Sequence, residues 1–286
     1  MVTLVILDGF GEKRQKFGNA IKSQGTPYLD KLKKMYPHTL IQASGEYVGL
    51  PKGVMGNSEV GHLTLGSGRV ILQDLKLIDS EIENGKFYKN PALIKALTHA
   101  EKNKSNLHIM GLLSNGGVHS SIEHLFAILD MAKNFDIKNI YIHAILDGRD
   151  TGVQDGIKFI QQTEENIAGT NAKIATIVGR IYAMDREQRY DRVKRAYDML
   201  YNGVGTKADS PETAVKESYS NGINDEYFEP TIIDPNATIK DNDSFIFYNY
   251  RSDRARDITF AMTDDNFSEF ETKKIKNFLY TAMTEY

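Results

Sequence analysis

The chain has 286 residues, of which 41% are hydrophobic and 26% charged, a balance typical of a globular protein that buries a large core. Its 35 basic and 38 acidic residues give a formal net charge of −3, which argues against a nucleic-acid-binding protein that relies on a general basic field. No apolar run approaches the roughly 18 residues of a membrane-spanning helix. The lack of cysteine excludes disulfides and thiol nucleophiles, and the N-terminus lacks the basic region of a signal peptide. We therefore expect a cytoplasmic protein with no membrane or nucleic-acid partner.

The N-terminal part of the chain alternates between apolar runs and turns. Residues 2–7 form a β-branched apolar run that ends at Asp8, and this run predicts a strand buried on both faces. Thr26 and Pro27 predict a helix start, with Thr26 as the cap. Residues 39–43 predict a second strand, and the glycine-rich residues 45–57 predict a long loop.

The rest of the chain continues this alternation of helices and strands. Helices are predicted at 74–84, 91–102, 121–134, 155–168, 191–202, 210–221 and 253–262. Strands are predicted at 106–113, 139–146, 173–178, 244–249 and 278–284. The pattern predicts an α/β protein with mostly parallel sheets flanked by helices. Because the last predicted strand is also the end of the sequence, we expect that something is missing after it.

Ser58 is the sharpest local signal, since it lies between the glycine-rich loop and a predicted helix. A hydroxyl at the positive end of a helix dipole suits an attacking oxygen or a bound phosphate. The simpler alternative is that Ser58 only caps the helix. Asp8, at the end of the first predicted strand, is a candidate ligand for a hard cation that also holds the Ser58 oxygen, although it could equally cap a turn.

Four predicted strands are each followed by a loop with polar residues that could bind a ligand or take part in catalysis. These loops hold five arginines, one histidine and one aspartate: His119, Arg149, Asp150, Arg180, Arg186, Arg251 and Arg254. Loops after parallel strands project from one edge of a sheet, so the guanidinium groups would converge as a receptor for phosphate and carboxylate. For any single arginine, the alternative is a surface ion pair.

The histidines divide into one candidate catalytic group and several expected structural ones. His119 and Asp150 are candidates for acid or base chemistry on a substrate hydroxyl. His38, His62 and His108 have no evident partner in the sequence, so we expect ordinary structural roles for them.

Taken together and in this order, the motifs resemble those of the cofactor-independent phosphoglycerate mutases. The segments that carry the resemblance are Ile6-Leu-Asp-Gly9, Gly25-Thr-Pro27, Ala43-Ser-Gly45, Val48-Gly-Leu-Pro51, Met55-Gly-Asn-Ser-Glu-Val-Gly-His62, Gly111-Leu-Leu-Ser114, Gly116-Gly-Val-His-Ser120, Leu146-Asp-Gly-Arg-Asp-Thr151, Tyr182-Ala-Met-Asp-Arg186 and Asp253-Arg-Ala-Arg256. They cover essentially the whole chain.

The resemblance implies a two-domain enzyme and a role for each candidate residue. Residues 1–72 would be the first piece of an alkaline-phosphatase-like, metal-binding domain, and residues 73–286 an inserted transferase domain. Asp8 and Ser58 would ligate Mn²⁺, of which the complete enzyme holds two, and Ser58 would be the phosphoserine nucleophile. The glycerate of 3-phosphoglycerate or 2-phosphoglycerate would be bound by His119, Arg149, Asp150, Arg180, Arg186, Arg251 and Arg254. Asp150 would shuttle the proton between hydroxyls, and no bisphosphoglycerate would be needed.

The chain also departs from the pattern of that family. Ser252 stands where a proline is usual. The remaining manganese ligands and a substrate-contacting lysine belong to a later segment of the family, so we expect little activity from this chain without a complementing C-terminal fragment. The complete enzyme is expected to be a monomer. Two alternatives stay open, namely another phosphatase or phosphomutase of the alkaline phosphatase superfamily and a non-catalytic module that binds phosphoglycerate.

Overall fold

The computed structural model describes residues 3–286, which form two compact units that divide between Lys76 and Leu77. We call residues 3–76 the N-terminal unit and residues 77–286 the sheet unit. The sequence places the division four residues earlier, and its assignment of the two parts to a phosphatase-like and a transferase domain stays a prediction.

The N-terminal unit is built from short helices joined by irregular chain. Its helices are α1 (Ala20–Gln24), α2 (Pro27–Met35) and α3 (Ser58–Ser67), followed by the start of α4 (Asp74–Glu83). Pro27 opens α2 as predicted, because proline lacks the amide hydrogen that the first turn leaves unpaired. The caps of α1 and α3 are asparagines, and the Asn57 side chain accepts a hydrogen bond from the Val60 amide at 3.1 Å.

The prediction of two strands in the N-terminal unit is wrong for the residues that the structure describes. Residues 3–7 and 39–43 are irregular; residue 2 of the first predicted strand lies outside the described part. Apolar side chains of both segments face water, with Leu4 73% and Ile41 74% exposed. A strand is stable only when a neighbouring strand takes up its backbone hydrogen bonds, and no strand of residues 3–76 lies beside these segments.

The sheet unit is an α/β fold around one seven-stranded sheet, as the sequence predicts. The strands are β1 (Asn106–Leu113), β2 (Asn139–Leu146), β3 (Ala172–Gly179), β4 (Thr206–Lys207), β5 (Thr231–Ile232), β6 (Ser244–Phe247) and β7 (Leu279–Ala282). Their order is β4-β5-β3-β2-β1-β6-β7, and all neighbours are parallel except β3 and β5. The carboxyl ends of β1, β2, β3 and β6 therefore meet at one edge.

All five predicted strands and all seven predicted helices from residue 74 onward are confirmed, with small shifts at their ends. The helices are α4, α5 (Pro91–Asn103), α6 (Ile122–Ala132), α7 (Gly156–Ile167), α9 (Tyr190–Asn202), α10 (Pro211–Ser220) and α11 (Arg256–Thr263); the short α8 (Arg180–Ala183) was not predicted. β6 ends before residue 249 because the Asn249 side chain, not its backbone, accepts the hydrogen bond from the Leu112 amide at 2.9 Å. β4 and β5 were missed because two residues carry no periodic pattern.

The core of the sheet unit lies on both faces of the sheet. Helices α9 and α11 pack with alternate residues of β1 and β6, such as Met110 and Phe247, in one apolar cluster. Helices α5, α6 and α7 also contact β1. None of the helices within residues 3–286 is long and apolar enough to cross a membrane.

A line of hydrogen-bonded polar side chains crosses the buried sheet, from Asp243 just before β6 to Thr176 in the middle of β3. His108 Nε2 lies 3.1 Å from Asp243 Oδ2 and His108 Nδ1 lies 2.9 Å from His143 Nε2, while His143 Nδ1 lies 2.9 Å from Thr176 Oγ1. All four side chains are buried, and burial holds the pKa of His143 well below its ordinary value. The buried position of His108 agrees with the structural role expected for it; its partners were not evident because they are distant in sequence and become neighbours only across the sheet.

Candidate functional site

In the N-terminal unit, the structure brings Ser58 and Asp8 together. Ser58 is the first residue of α3, and its hydroxyl donates a hydrogen bond to Asp8 Oδ2 at 2.6 Å. Both residues are exposed to solvent. Asn57 already caps the helix, so Ser58 does not serve as the N-cap, and the simpler alternative considered for it does not hold.

His62 lies one helical turn after Ser58 and contacts it, although the sequence suggested no partner. Its Nδ1 lies 2.7 Å from the Ser58 carbonyl oxygen and 3.3 Å from the Ser58 hydroxyl. Since a carbonyl oxygen only accepts, this hydrogen bond places the ring proton on Nδ1. Asp8 is therefore the acceptor for the Ser58 hydroxyl, while His62 buttresses the first turn of the helix.

The metal implied by the resemblance can be tested against these two residues. Asp8 and Ser58 present oxygen atoms, the donors that hard divalent cations prefer, only 2.6 Å apart. Within residues 3–286, no group of three or more histidine, aspartate or glutamate side chains is arranged to hold a metal. The pair thus fits part of a site for a hard divalent cation and could supply two of its ligands.

In the sheet unit, Arg180 is the centre of the polar cluster at the carboxyl ends of the strands. It follows β3 directly and is only 2% exposed. Its Nη1 donates to Asp147 Oδ1 at 2.5 Å and to Asp150 Oδ2 at 2.7 Å, and its Nη2 lies 3.1 Å from His119 Nε2. Three neighbouring strands therefore deliver one arginine, two carboxylates and one imidazole to the same place.

The electrostatics of this cluster keep His119 neutral. Burial and the nearby charge of Arg180 lower the pKa of His119 to about 4, against the opposing effects of Asp253 and Asp150. Because Arg180 donates to Nε2, the hydrogen-bond pattern assigns the ring proton to Nδ1, which faces Asp253 Oδ1 at 3.6 Å. At neutral pH, His119 can therefore accept a hydrogen bond but cannot deliver a proton from Nε2.

Asp253 joins two further arginines of the predicted set. Its Oδ2 lies 3.2 Å from Arg186 Nη1, and its Oδ1 lies 3.1 Å from Arg251 Nε. The two arginines are about half exposed, unlike Arg180. Their guanidinium groups thus face solvent at the same edge of the sheet while one carboxylate holds them in place.

The remaining two arginines differ in their partners. Arg149 Nη1 pairs with Glu226 Oε1 at 3.2 Å. Arg254 makes no ion pair with any residue between 3 and 286, and its Nη1 donates to the Met184 carbonyl oxygen at 3.1 Å. Burial lowers the pKa of Arg254, as do the positive charges of Arg180, Arg186 and Arg149. Arg254 is therefore the position at which an added anion would relieve the most repulsion.

Close backbone contacts hold the loops of this cluster against each other. A Cβ atom on Gly116 would lie 2.9 Å from the Asp150 carbonyl oxygen. One on Gly148, whose φ is +65°, would lie 2.8 Å from the Glu226 amide nitrogen. Glycine is required at both positions, since a side chain would push Asp150 or Glu226 away from its arginine.

The carboxylates that pair with the arginines are the residues that sequence reasoning missed. Asp147 and Asp253 lie within the motifs that supplied Arg149, Arg251 and Arg254, so a search for acidic partners inside those motifs could have found them. Glu226 comes from a turn far along the chain, and nothing in the sequence around it points to Arg149.

Comparisons with known proteins place the chain in a family. A family model described as BPG-independent PGAM N-terminus (iPGM_N) matches residues 78–286. The chain belongs to this family. It is 48% identical over 290 residues to the 2,3-bisphosphoglycerate-independent phosphoglycerate mutase of Clostridioides difficile, covering 100% of this chain and 56% of that protein. It is 46% identical over 284 residues to the enzyme of the same name from Bacteroides fragilis, covering 99% and 56%.

A solved structure shares the fold of this BPG-independent family member. It is a crystal structure of Leishmania mexicana phosphoglycerate mutase at low cobalt concentration, with a TM-score of 0.78 and 32% sequence identity. The match covers 92% of this chain and 51% of the Leishmania chain. The chain thus spans about half the length of the phosphoglycerate mutases that it matches, and the curated relatives are named as independent of 2,3-bisphosphoglycerate.

Proposed function

We propose that this chain provides the nucleophile and the glycerate-binding residues of a phosphoglycerate mutase that interconverts 3-phosphoglycerate and 2-phosphoglycerate. The observation that carries the proposal is the convergence of five arginines, His119 and Asp150 at one edge of the sheet. The family membership and the names of the relatives support it.

The arginine cluster suits a small anion that also bears hydroxyl groups. Arg254 has no competing carboxylate among the described residues, and the half-exposed Arg186 and Arg251 present further donors to solvent. Guanidinium groups bind carboxylate and phosphate oxygens through paired, charge-assisted hydrogen bonds. His119, whose Nε2 carries no proton, and Asp150 would contact hydroxyl groups of the glycerate.

Ser58 is the proposed acceptor of the phosphoryl group. The bond from phosphorus to the 3-oxygen of the substrate breaks as a bond to Ser58 Oγ forms, and the reverse transfer to the 2-oxygen completes the isomerisation. Asp8, which accepts the Ser58 hydrogen bond, takes the hydroxyl proton as the bond to phosphorus forms and returns it when that bond breaks. Asp150 carries the proton of the 2-hydroxyl to the 3-oxygen between the two transfers, so 2-phosphoglycerate leaves with no net change in protons. Asp8 Oδ2 holds the Ser58 hydroxyl at 2.6 Å and orients its oxygen.

Mn²⁺ is the proposed metal, with Asp8 and Ser58 among its ligands. When bound, it would lower the proton affinity of the serine oxygen and offset charge on the phosphoryl group. A cytoplasmic location, a monomeric complete enzyme and a complementing C-terminal segment remain predictions attached to this proposal.

The test uses the purified chain with Mn²⁺ and 3-phosphoglycerate, without bisphosphoglycerate, and detects 2-phosphoglycerate with enolase. It is run on the chain alone and with the C-terminal remainder of the Clostridioides difficile relative added. Turnover in either mixture should disappear in Ser58→Ala and persist in Ser67→Ala, a control at the other end of the same helix. Turnover that survives Ser58→Ala would point to another nucleophile. Binding of 3-phosphoglycerate with no turnover in either mixture would favour a binding module.

A further inference from the structure

Asp147 is a buried carboxylate at the centre of the arginine cluster. It follows β2 directly and is 1% exposed. Its Oδ2 accepts a hydrogen bond from the Ser114 hydroxyl at 2.6 Å. Its Oδ1 accepts hydrogen bonds from the amides of Arg149 at 3.2 Å and Asp150 at 3.0 Å, and from Arg180 Nη1 at 2.5 Å. One carboxylate therefore contacts three of the residues in the proposed glycerate site.

These contacts keep Asp147 ionised although it is buried. Burial raises its pKa, but the hydrogen bonds from the Asp150 amide and Ser114, together with the charge of Arg180, hold the pKa below its ordinary value. A buried carboxylate with four donors has little freedom to rotate. It is thus a fixed anchor inside the loop that carries Arg149 and Asp150.

Arg180 needs such an anchor because it is buried and contacts two groups that would touch substrate. Its guanidinium is planar, so fixing Nη1 also fixes the direction of Nη2. The bond to Asp147 aligns Nη1 with Asp150 and points Nη2 at His119 Nε2. Without that bond, the guanidinium could turn toward Asp150 alone and leave His119.

We propose that Asp147 is the positioning residue of the site: it holds Arg180 between Asp150 and His119, and it fixes the loop amides of Arg149 and Asp150. The inference rests on the proposed function, since that function identifies phosphoglycerate as the ligand of the cluster. Asp147 itself does not contact the substrate, because its four hydrogen bonds occupy both oxygens and it is buried.

Binding of 3-phosphoglycerate to the full chain, measured by calorimetry, tests the proposal with Asp147→Asn, Arg180→Gln and the double variant. Asp147→Asn keeps the shape and removes the charge. We expect it to bind about 10- to 100-fold more weakly, as is typical when a binding group is misplaced by about 1 Å. The further loss in the double variant, relative to Arg180→Gln alone, should be clearly smaller than the loss that Asp147→Asn causes in the wild type, because Asp147 acts in large part through Arg180. Additive losses, or wild-type affinity in Asp147→Asn, would overturn the proposal.

Two further variants separate positioning from general stability. Asp243→Asn is the matched control, since Asp243 is also 1% exposed but lies at the amino end of the sheet. It should lower the midpoint of thermal unfolding and leave affinity unchanged. Ser114→Ala keeps the charge of Asp147 and removes one donor, so it should weaken binding by roughly 2- to 10-fold even if Asp147→Asn does not fold. Unchanged affinity in Ser114→Ala would count against the proposal.

A measurement without ligand distinguishes the failure of this inference from the failure of the proposed function. The ¹⁵N resonance of His119 Nε2 reports the contact with Arg180 Nη2 in the free protein. It should shift in Asp147→Asn and stay in place in Asp243→Asn. If this shift occurs but the wild-type chain does not bind 3-phosphoglycerate, the proposed function is wrong and Asp147 still positions Arg180. If the wild type binds and the resonance does not shift, the positioning role is wrong.

Discussion

Apolar runs predict strands in both the N-terminal unit and the sheet unit, yet such runs form strands only in the sheet unit. Leu107 and Ile109 of β1 are fully buried, whereas Leu4 and Val5, in a run that is richer in β-branched residues, are 73% and 74% exposed. β1 has a parallel neighbour on each side. An apolar, β-branched run therefore predicts where a strand can form, and the neighbouring strands decide whether it does.

Helices show no such difference, because their hydrogen bonds are local. Asn57 in the N-terminal unit and Asn90 in the sheet unit both accept hydrogen bonds from amides in the first turn of their helices. Asparagine side chains therefore cap helices in both units, although Thr26, the cap predicted for α2, makes no side-chain hydrogen bond to its helix. The following predictions test this comparison.

The largest expected effect comes from two leucines, one in each unit. Leu97 in α5 is fully buried, while Leu40 is 73% exposed. Leu97→Ala should lower the free energy of unfolding by about 2–5 kcal/mol because it leaves a cavity. Leu40→Ala should change it by less than about 0.5 kcal/mol. Urea unfolding measures both; a large loss in Leu40→Ala would show that this segment is buried in solution.

The next largest effect is a loss of stability as the pH falls, which we expect from a buried histidine and not from an exposed one. The folded pKa of His119 is about 4, below its ordinary 6.5, so the unfolded chain binds its proton first. Stability should fall from pH 6.5 to about 4, by about 3 kcal/mol more in the wild type than in His119→Gln. Unfolding by urea at several pH values measures this difference. His38→Gln is the control, since His38 is exposed, and it should match the wild type. Parallel pH profiles for His119→Gln and the wild type would contradict the burial of His119.

The smallest effect concerns the two helix caps. Asn57→Ala and Asn90→Ala each remove a side-chain acceptor from a first turn, and each should cost about 1 kcal/mol of unfolding free energy. The change is measured by urea unfolding, followed by circular dichroism. Equal losses would show that local capping works alike in both units. No loss in Asn57→Ala would mean that the helix bearing Ser58 folds independently of the transition observed.

The sheet of the larger unit could be predicted because the apolar runs that form its central strands are long. Each of the three central strands runs for eight residues with seven or six of them buried. β4 and β5 have two residues each, and their pairing depends on contacts between distant parts of the chain. Strands of two residues carry no period that a sequence could show.

The site was predictable to a similar depth. The loops after β1, β2, β3 and β6 could be assigned to one edge, because parallel strands share an edge, and His119, Arg180 and Asp150 do meet there. Of the carboxylates that pair with the arginines, Asp147 and Asp253 lie within the same motifs, whereas Glu226 was not predictable because it reaches Arg149 from a turn remote in sequence. Strand topology thus brings the right loops together, and their side-chain pairing is visible only in three dimensions.

The buried line from Asp243 through His108 and His143 to Thr176 also selects one alignment of the strands. Aliphatic side chains are nearly interchangeable across a parallel sheet, so packing alone discriminates weakly between a correct alignment and one slipped along the strand. A slip of β1 by two residues would keep its apolar face inward but move His108 away from both Asp243 and His143. His108 would then lack both partners, while His143 and Asp243 would each lose a hydrogen bond in a buried place, a penalty that misaligned strands would bear.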